Sequence, residues 1–452
     1  MIFMSEKLIL DEIEKNKDKF VEFFRELLQI DSINPPGNEK NLANKIEKFL
    51  KEFKIKCDVF SYGNNRANLI AYLNDNFEGK NLLFNGHMDV VPPGSENEWK
   101  NPPLSAFVKR NKFIYGRGST DMKGGLAAMI LALTILKKLD IEISGNLILN
   151  AVADEETTGF GTEWSLENKL NTIKCDFAIV GEPTGLAPLP KALIVGERGH
   201  LLVKIVTNGI SCHASMPSMG KNAIYMMGEI MQNLDKLDEY IPKTVPPIPL
   251  NKLKKLISEV FPSEEIFEKI LEDQSLLQNL LLSLTQFTKV LTMIKGGIKE
   301  NVVPDKCEAT IDFRLLPEQI VETVISALKK LISEDLGYAI KEESGRAPGE
   351  IFVYLEIVHQ SEGSYWKDWE KSAILRDFRN IVEKAYGKKP FFLLYPACAD
   401  AHFLRNDGYC PQTILFGPGS ANTAHATDEY IEIEDFINAI KVYTIFAYNF
   451  LK

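Results

Sequence analysis

The apolar positions of the first thirty residues recur at helical spacing. Leu8, Ile13, Phe20, Phe23, Leu27 and Leu28 fall on one side, which predicts a helix over about 6–30. Pro35, Pro36 and Gly37 stop it. A second helix is predicted over about 41–53, with Leu42, Ile46 and Leu50 on its apolar face. Beyond it the period shortens. Residues 82–84, 147–152 and 177–180 are short apolar runs that read as buried strands, while 122–136 reads as an apolar helix. Buried strands alternating with helices predict an α/β unit whose central sheet is mostly parallel and flanked by helices.

Near residue 194 the texture changes. Residues 200–206 alternate like a half-buried strand, a helix follows at about 223–234, strands return at 306–314 and 351–358, and a helix lies between them at 317–332. That order is the β-α-β-β-α-β pattern of a small α+β unit. Residues 241–290 open with Pro242, Pro246, Pro247 and Pro249 and then become amphipathic helix. After about 363 the α/β texture resumes and ends in an amphipathic helix at 433–451. The chain therefore reads as a catalytic domain in two parts, 1–195 and 362–452. An α+β domain is inserted at 196–361 and itself carries a helical insertion at about 241–290.

Composition supports two units and narrows the partners. A chain of 452 residues exceeds the roughly 250–300 at which one core stops growing. With 52 basic and 62 acidic residues the net charge is −10, which argues against nucleic acid or an anionic membrane as a general partner. The longest apolar run, near 126–136, is too short to span a bilayer, and no basic stretch followed by an apolar one marks a secretory signal. Six scattered cysteines without a C-x-x-C pair read as reduced thiols in a cytoplasmic enzyme.

Candidate chemistry gathers in five short segments: Gly86-His87-Met88-Asp89, Gly118-Ser119-Thr120-Asp121, Asp154-Glu155-Glu156, Gly181-Glu182-Pro183 and Ala424-His425-Ala426-Thr427. Several follow apolar strands, and ligands of open α/β sheets collect at the carboxyl ends of strands. Each residue has a plainer reading. His87 and His425 could be hydrogen-bonded loop residues, Asp121 a helix N-cap, the acidic triplet a solvated loop, and Glu182 a turn residue. Asp89, two positions after His87, could hold its ring. Together, two histidines and several carboxylates suit zinc, cobalt or manganese, and the excess of carboxylates suggests two ions sharing a bridging ligand. The glycine-rich run 116–125 lacks the spacing of a phosphate-binding loop. Cys212-His213, adjacent on an extended segment, would point to opposite faces and make a poor dyad.

These motifs, in this order, resemble the M20 metallopeptidase family, the group of acetylornithine deacetylase, succinyl-diaminopimelate desuccinylase, aminoacylase and glutamate carboxypeptidase. The resemblance runs through residues 32–37, 86–92, 116–125, 153–156, 181–184, 213–217, 301–304 and 312–314. It implies that His87 and Glu182 hold one divalent metal ion, Glu156 and His425 a second, and that Asp121 bridges them. Zinc is the first choice of ion, with cobalt or manganese as alternatives. It further implies Glu155 as general base, Asp89 as the residue that orients His87, and a cis peptide after Asp121. The inserted domain would be the family's lid and dimerisation domain. His213 would reach a partner subunit's site and stabilise the oxyanion, while Asn301 and Arg314 would bind substrate. For Arg314 a salt bridge at the strand end is the competing reading.

Two features depart from the family pattern. The 241–290 insertion is long, and His402 stands where relatives more often carry Arg. The function implied is hydrolysis of the amide of an N-acyl amino acid. Alternatives are a metallo-exopeptidase or dipeptidase on the same site, and a catalytically silent binding relative. The run 181–186 leans toward deacylation.

Overall fold

The computed structural model describes residues 2–74, 79–186, 189–343, 345, 347 and 349–452. Its larger unit is built on a nine-stranded sheet. The order is Lys56–Tyr62, Arg66–Tyr72, Asn146–Val152, Asn81–His87, Phe177–Val180, Thr413–Leu415, Ala192–Glu197 and Ser364–Tyr365, with Phe391–Tyr395 also paired to Ala192–Glu197. The four central strands, from Asn146–Val152 to Thr413–Leu415, are parallel. The outer pairings are antiparallel except that of Phe391–Tyr395. The expected parallel core is thus the middle of a mixed sheet. Asn81–His87 and Asn146–Val152 are buried along their whole length, which is why they read as continuous apolar runs rather than alternating ones. Helices Ile2–Leu28, Lys123–Lys138, Ala373–Tyr386 and Ile433–Leu451 pack against one another and the sheet. Among the described residues no helix is long and apolar enough to cross a membrane.

The smaller unit is a five-stranded sheet in the order Thr288–Gly296, Lys306–Leu315, Gly199–Asn208, Phe352–Ser361, Ile340–Lys341. Lys306–Leu315 alternates strictly between covered and open positions. Its inward side chains, Ile311 and Phe313 among them, meet Met227 of helix Ala223–Gln232 and Val324 of helix Val321–Lys330 in a separate core. The edge strand Thr288–Gly296 falls where helix was expected to give way at about 290, and no strand was foreseen there.

Residues 241–290 were read as part of the inserted domain, and here the structure differs. Helices Leu250–Ser258, Glu264–Asp273 and Ser275–Ser283 put Leu253, Ile257, Phe267, Leu271 and Leu281 into the core of the larger unit. Helix Leu250–Ser258 lies on strand Phe391–Tyr395, and Glu259 pairs with Arg379 at 3.3 Å and Lys389 at 3.2 Å. Periodicity marks these helices as amphipathic but carries no record of which core their apolar faces cover.

The two units join where Ala192–Glu197 runs through Arg198 into Gly199–Asn208 and where Phe352–Ser361 returns to Ser364–Tyr365. At this junction the backbones touch. A Cβ on Gly199 would meet the Gly363 nitrogen at 2.7 Å, and one on Gly363 would meet the Gly199 nitrogen at 2.7 Å.

Candidate metal centre

His87 ends one central strand, Asp154-Glu155-Glu156 follows the next soon after Val152, and Glu182 follows Val180. Three parallel strands therefore deliver an imidazole and a set of carboxylates to the same sheet edge. Asp121 reaches them from the loop before helix Lys123–Lys138. That helix has Met122 at its N-cap and no side-chain cap, so the Asp121 carboxylate is not spent as a cap. The Asp121–Met122 peptide is cis.

The carboxylate of Asp121 lies between two imidazoles. One oxygen is 3.1 Å from His87 Nε2 and the other is 3.2 Å from His425 Nε2. His425 Nε2 is also 3.1 Å from Glu156 Oε2. His87 Nε2 lies 3.6 Å from Glu182 Oε1 and 3.8 Å from Glu155 Oε2. Two groups of candidate ligand atoms, His87–Asp121–Glu156 and His87–Glu155–Glu182, each fall within 4.8 Å of one another. The six residues singled out for metal binding and general base chemistry are thus brought together.

Asp89 acts differently from the expectation. The His87 Nδ1–H donates to the main-chain carbonyl of Asp89 at 2.9 Å, whereas the Asp89 carboxylate stands 3.6 Å away. That carboxylate instead accepts the backbone N–H groups of Glu155 at 3.2 Å and Glu156 at 3.1 Å, and the Asn34 amide at 2.9 Å. One residue positions the ring through its backbone and the acidic loop through its side chain. Asn34 continues the network to Asp154 at 2.9 Å and receives a hydrogen bond from Arg66 at 2.6 Å.

Glu429 and Arg117 were not picked out from the sequence. Glu429 is fully buried; it accepts the Arg117 guanidinium at 2.6 Å and the amides of Thr120 at 2.7 Å, Asp121 at 3.1 Å and Gly118 at 3.2 Å. Arg117 also donates to the His425 carbonyl at 3.3 Å. The pair ties the loop of one candidate ligand to the loop of another. Only the position of Glu429 four residues after His425 hinted at it, and the acidic run 428–435 hides that hint.

The site's charges are unbalanced. Burial pushes the carboxyls of Glu155, Glu156 and Glu182 above the usual carboxylate range, and neighbouring carboxylates add to the rise. Hydrogen bonds that the His425 ring donates to Asp121 and Glu156 push it up to about 10. Burial opposes a charge on His87, but the Asp121 hydrogen bond and the surrounding carboxylates outweigh it and raise that ring as well. The buried Glu156 Oε1 and Glu182 Oε1 have no hydrogen-bond partner among the described residues. Clustered carboxylates with unpartnered oxygens, facing two imidazoles, have the chemistry of a cation site. The donor set fits divalent ions of the zinc class.

The lid residues stand apart. His213 is exposed and its Nδ1 accepts from the Ser215 amide at 3.1 Å. Ala214 N–H donates to the Asn301 carbonyl at 3.0 Å, so these two segments share one surface. Arg314 is engaged by Asp312 through Nε at 2.8 Å and Nη2 at 3.1 Å, the competing reading of that residue. Among the described residues no contact joins His213, Asn301 or Arg314 to the carboxylate cluster. His402 donates through Nδ1 to the Ala399 carbonyl at 2.7 Å and receives the Ser361 hydroxyl at 3.2 Å.

Comparison with known proteins places this arrangement in context. The family model described as peptidase family M20/M25/M40 matches residues 83–449. The chain is 30% identical over 422 residues to an acetylornithine deacetylase of Photorhabdus laumondii, covering 92% of each chain. It is 26% identical over 448 residues to a probable succinyl-diaminopimelate desuccinylase of Staphylococcus aureus, covering 97% of this chain and 98% of that one. Among solved structures, an M20 family metallo-carboxypeptidase of Sulfolobus solfataricus superposes with a TM-score of 0.76 at 23% identity, over 95% of this chain and 98% of the other. Human carnosine dipeptidase 1 gives 0.74 at 15% identity over 98% of both.

Proposed function

This chain belongs to peptidase family M20/M25/M40 and is a metal-dependent amide hydrolase, and from that premise we propose that its substrate is an N-acyl amino acid, cleaved between acyl group and amine. The observation that carries the reading is the Asp121 carboxylate set between His87 and His425, with Glu155 beside it. His87 and Glu182 would hold one ion, Glu156 and His425 the other, and Asp121 would serve both; zinc suits this set, as do cobalt and manganese. When bound, such ions acidify water and polarise a carbonyl. Glu155 is the general base. Its largely buried carboxyl has its affinity for protons raised by burial and by Glu182, so it takes a proton from the attacking water and returns it to the leaving amine. The Asp89 carboxylate fixes the Glu155 backbone, and so the base, against the strand that ends at His87.

His213 acts in a second copy of the chain. Its exposed position away from its own site supports this, as does the edge strand Thr288–Gly296, where Val290, Leu291, Met293 and Ile294 are exposed. Asn301 and Arg314 bind the substrate's polar end, with Arg314 turned from Asp312 to a carboxylate. A cytoplasmic setting agrees with the six free thiols.

The test is a hydrolysis panel of acetyl- and succinyl-amino acids against dipeptides, on protein reloaded with zinc or cobalt. Turnover confined to acyl amino acids is expected. Preference for dipeptides would replace deacylation with dipeptidase action, the reading favoured by the carnosine dipeptidase likeness. Sedimentation of wild type as a monomer would remove the role given to His213.

A further inference from the structure

His359 carries a hydrogen bond from the inserted unit to the acidic loop of the larger one. It lies near the end of strand Phe352–Ser361, and its Nδ1 is 3.2 Å from the main-chain carbonyl of Thr157. A carbonyl only accepts, so Nδ1 bears the proton and donates it. Thr157 follows Glu156 directly. The open face of the small sheet holds the ring. Leu202 of the central strand stands opposite both His359 and Asp312, and His200, two residues away, shares their face. The His200 and His359 rings have centroids 4.8 Å apart at 41°. His200 Nε2 is in turn 3.1 Å from Asp312 Oδ2, and Asp312 also engages Arg314. Other holds on the loop come from the larger unit. The Asp89 carboxylate accepts the amides of Glu155 and Glu156. Asn34 donates to Thr157 Oγ1 at 3.0 Å, and the amides of Thr158 and Gly159 return to the Asp154 carbonyl at 3.1 and 2.7 Å.

We propose that His359 is a positioning residue for the hydrolytic reaction: its Nδ1–H, presented by the inserted sheet and backed by His200, fixes the far end of the loop that carries Glu155 and Glu156. The role rests on the reading of Glu155 as base and Glu156 as metal ligand, because His359 acts through them and touches no substrate itself. Asp89 sets the loop at the amides of Glu155 and Glu156, and His359 sets it one residue later. The base and the ligand are thereby gripped from both units. A displacement of about 1 Å in a reacting group can cost about 10²-fold in rate, so a contact that narrows the loop's range bears directly on proton transfer. Asparagine carries an N–H donor on an atom bonded to Cγ, as Nδ1 is, and so preserves this grip. Leucine carries none.

Hydrogen exchange of the metal-free full chain, read by mass spectrometry on peptides covering 153–160, reports the loop directly. His359→Leu should speed exchange there about fivefold, and His359→Asn should return it close to wild type. On zinc-loaded protein of equal metal content, with an acyl amino acid that the wild type hydrolyses, His359→Leu should lower kcat about tenfold at nearly constant KM. His359→Asn should recover most of that loss. Unchanged exchange or unchanged kcat in His359→Leu would overturn the proposal. So would a His359→Asn variant no better than His359→Leu, or a rise in KM alone, which would make the ring a substrate contact. A wild-type chain that hydrolyses no acyl amino acid strikes the deacylase reading instead, and the exchange measurement then decides the role of His359 by itself.

Discussion

Glu429→Ala should be among the most damaging single substitutions in this chain, although Glu429 touches no substrate. Removing the carboxylate leaves the Arg117 guanidinium, 2% exposed, without its partner at 2.6 Å. Breaking a buried pair from one side costs about 3–5 kcal/mol. Three amides, those of Gly118, Thr120 and Asp121, lose their acceptor at the same time, and each unsatisfied donor costs about 1–3 kcal/mol where water cannot replace it. The losses overlap because one rearranged loop relieves several, so about 5 kcal/mol is the working figure, comparable to the whole stability of many domains. Arg117→Met combined with Glu429→Ala removes both charges and should recover several kcal/mol of that loss. Urea unfolding of the metal-free variants measures this, with metal content by elemental analysis on the loaded ones. Weaker metal retention should accompany the instability, because Asp121 and His425 hang on the loops this pair joins. A single variant within about 1 kcal/mol of wild type would refute the reasoning, as would a double variant no more stable than Glu429→Ala.

Glu155→Gln should lower turnover by about 10²–10⁴-fold while leaving bound metal unchanged by elemental analysis; a near-normal rate removes the base from Glu155. Chelation should lower the unfolding midpoint, and more so at high pH. Glu155, Glu156 and Glu182 have folded pKa values above the ordinary 4.5, so without a cation their stabilisation is present below that value and is lost as pH rises through the folded ones. Calorimetry from pH 5 to 8 showing a constant gap between loaded and chelated protein would count against this. His359 is the opposite case. Burial, followed by the neighbouring His200 charge, lowers it from 6.5 to about 4, so stability falls as pH drops from about 6.5 through 4, by at most about 3 kcal/mol. His359→Gln should flatten that part of the stability–pH curve, and an unchanged slope would show that the ring does not carry it.

Much of the larger unit was readable in the sequence because its elements are extreme. The terminal helix Ile433–Leu451 and the strand Phe177–Val180 have apolar patterns with one interpretation each. His87, Asp121, Glu156 and Glu182 were readable because each sits just past a buried strand or just before a helix, and strand ends in such sheets converge, whereas His425 lies among turns well past Thr413–Leu415. What could not be read was partnership. Nothing in Asp89 says that its carboxylate serves two backbone amides while its carbonyl serves His87. Nothing in Arg314 distinguishes a grip on Asp312 two residues away from a free fork. The helices at 250–283 declare an apolar face but not the neighbour that covers it. Patterns report how a segment divides water from non-water; contacts across hundreds of residues depend on the fold as a whole.

Asp89 has one further consequence. The imidazole at the end of one strand and the acidic loop at the end of the next take their placement from a single amino acid. Any displacement of that amino acid therefore moves both in step, and their errors are correlated instead of independent. The spacing between them is preserved under small distortions of the sheet edge, because the reference point travels with them. The same arrangement means that a substitution at residue 89 has no separable effect: whatever it does to ion affinity it does to proton transfer as well, and the two losses cannot be assigned by kinetics on that variant alone.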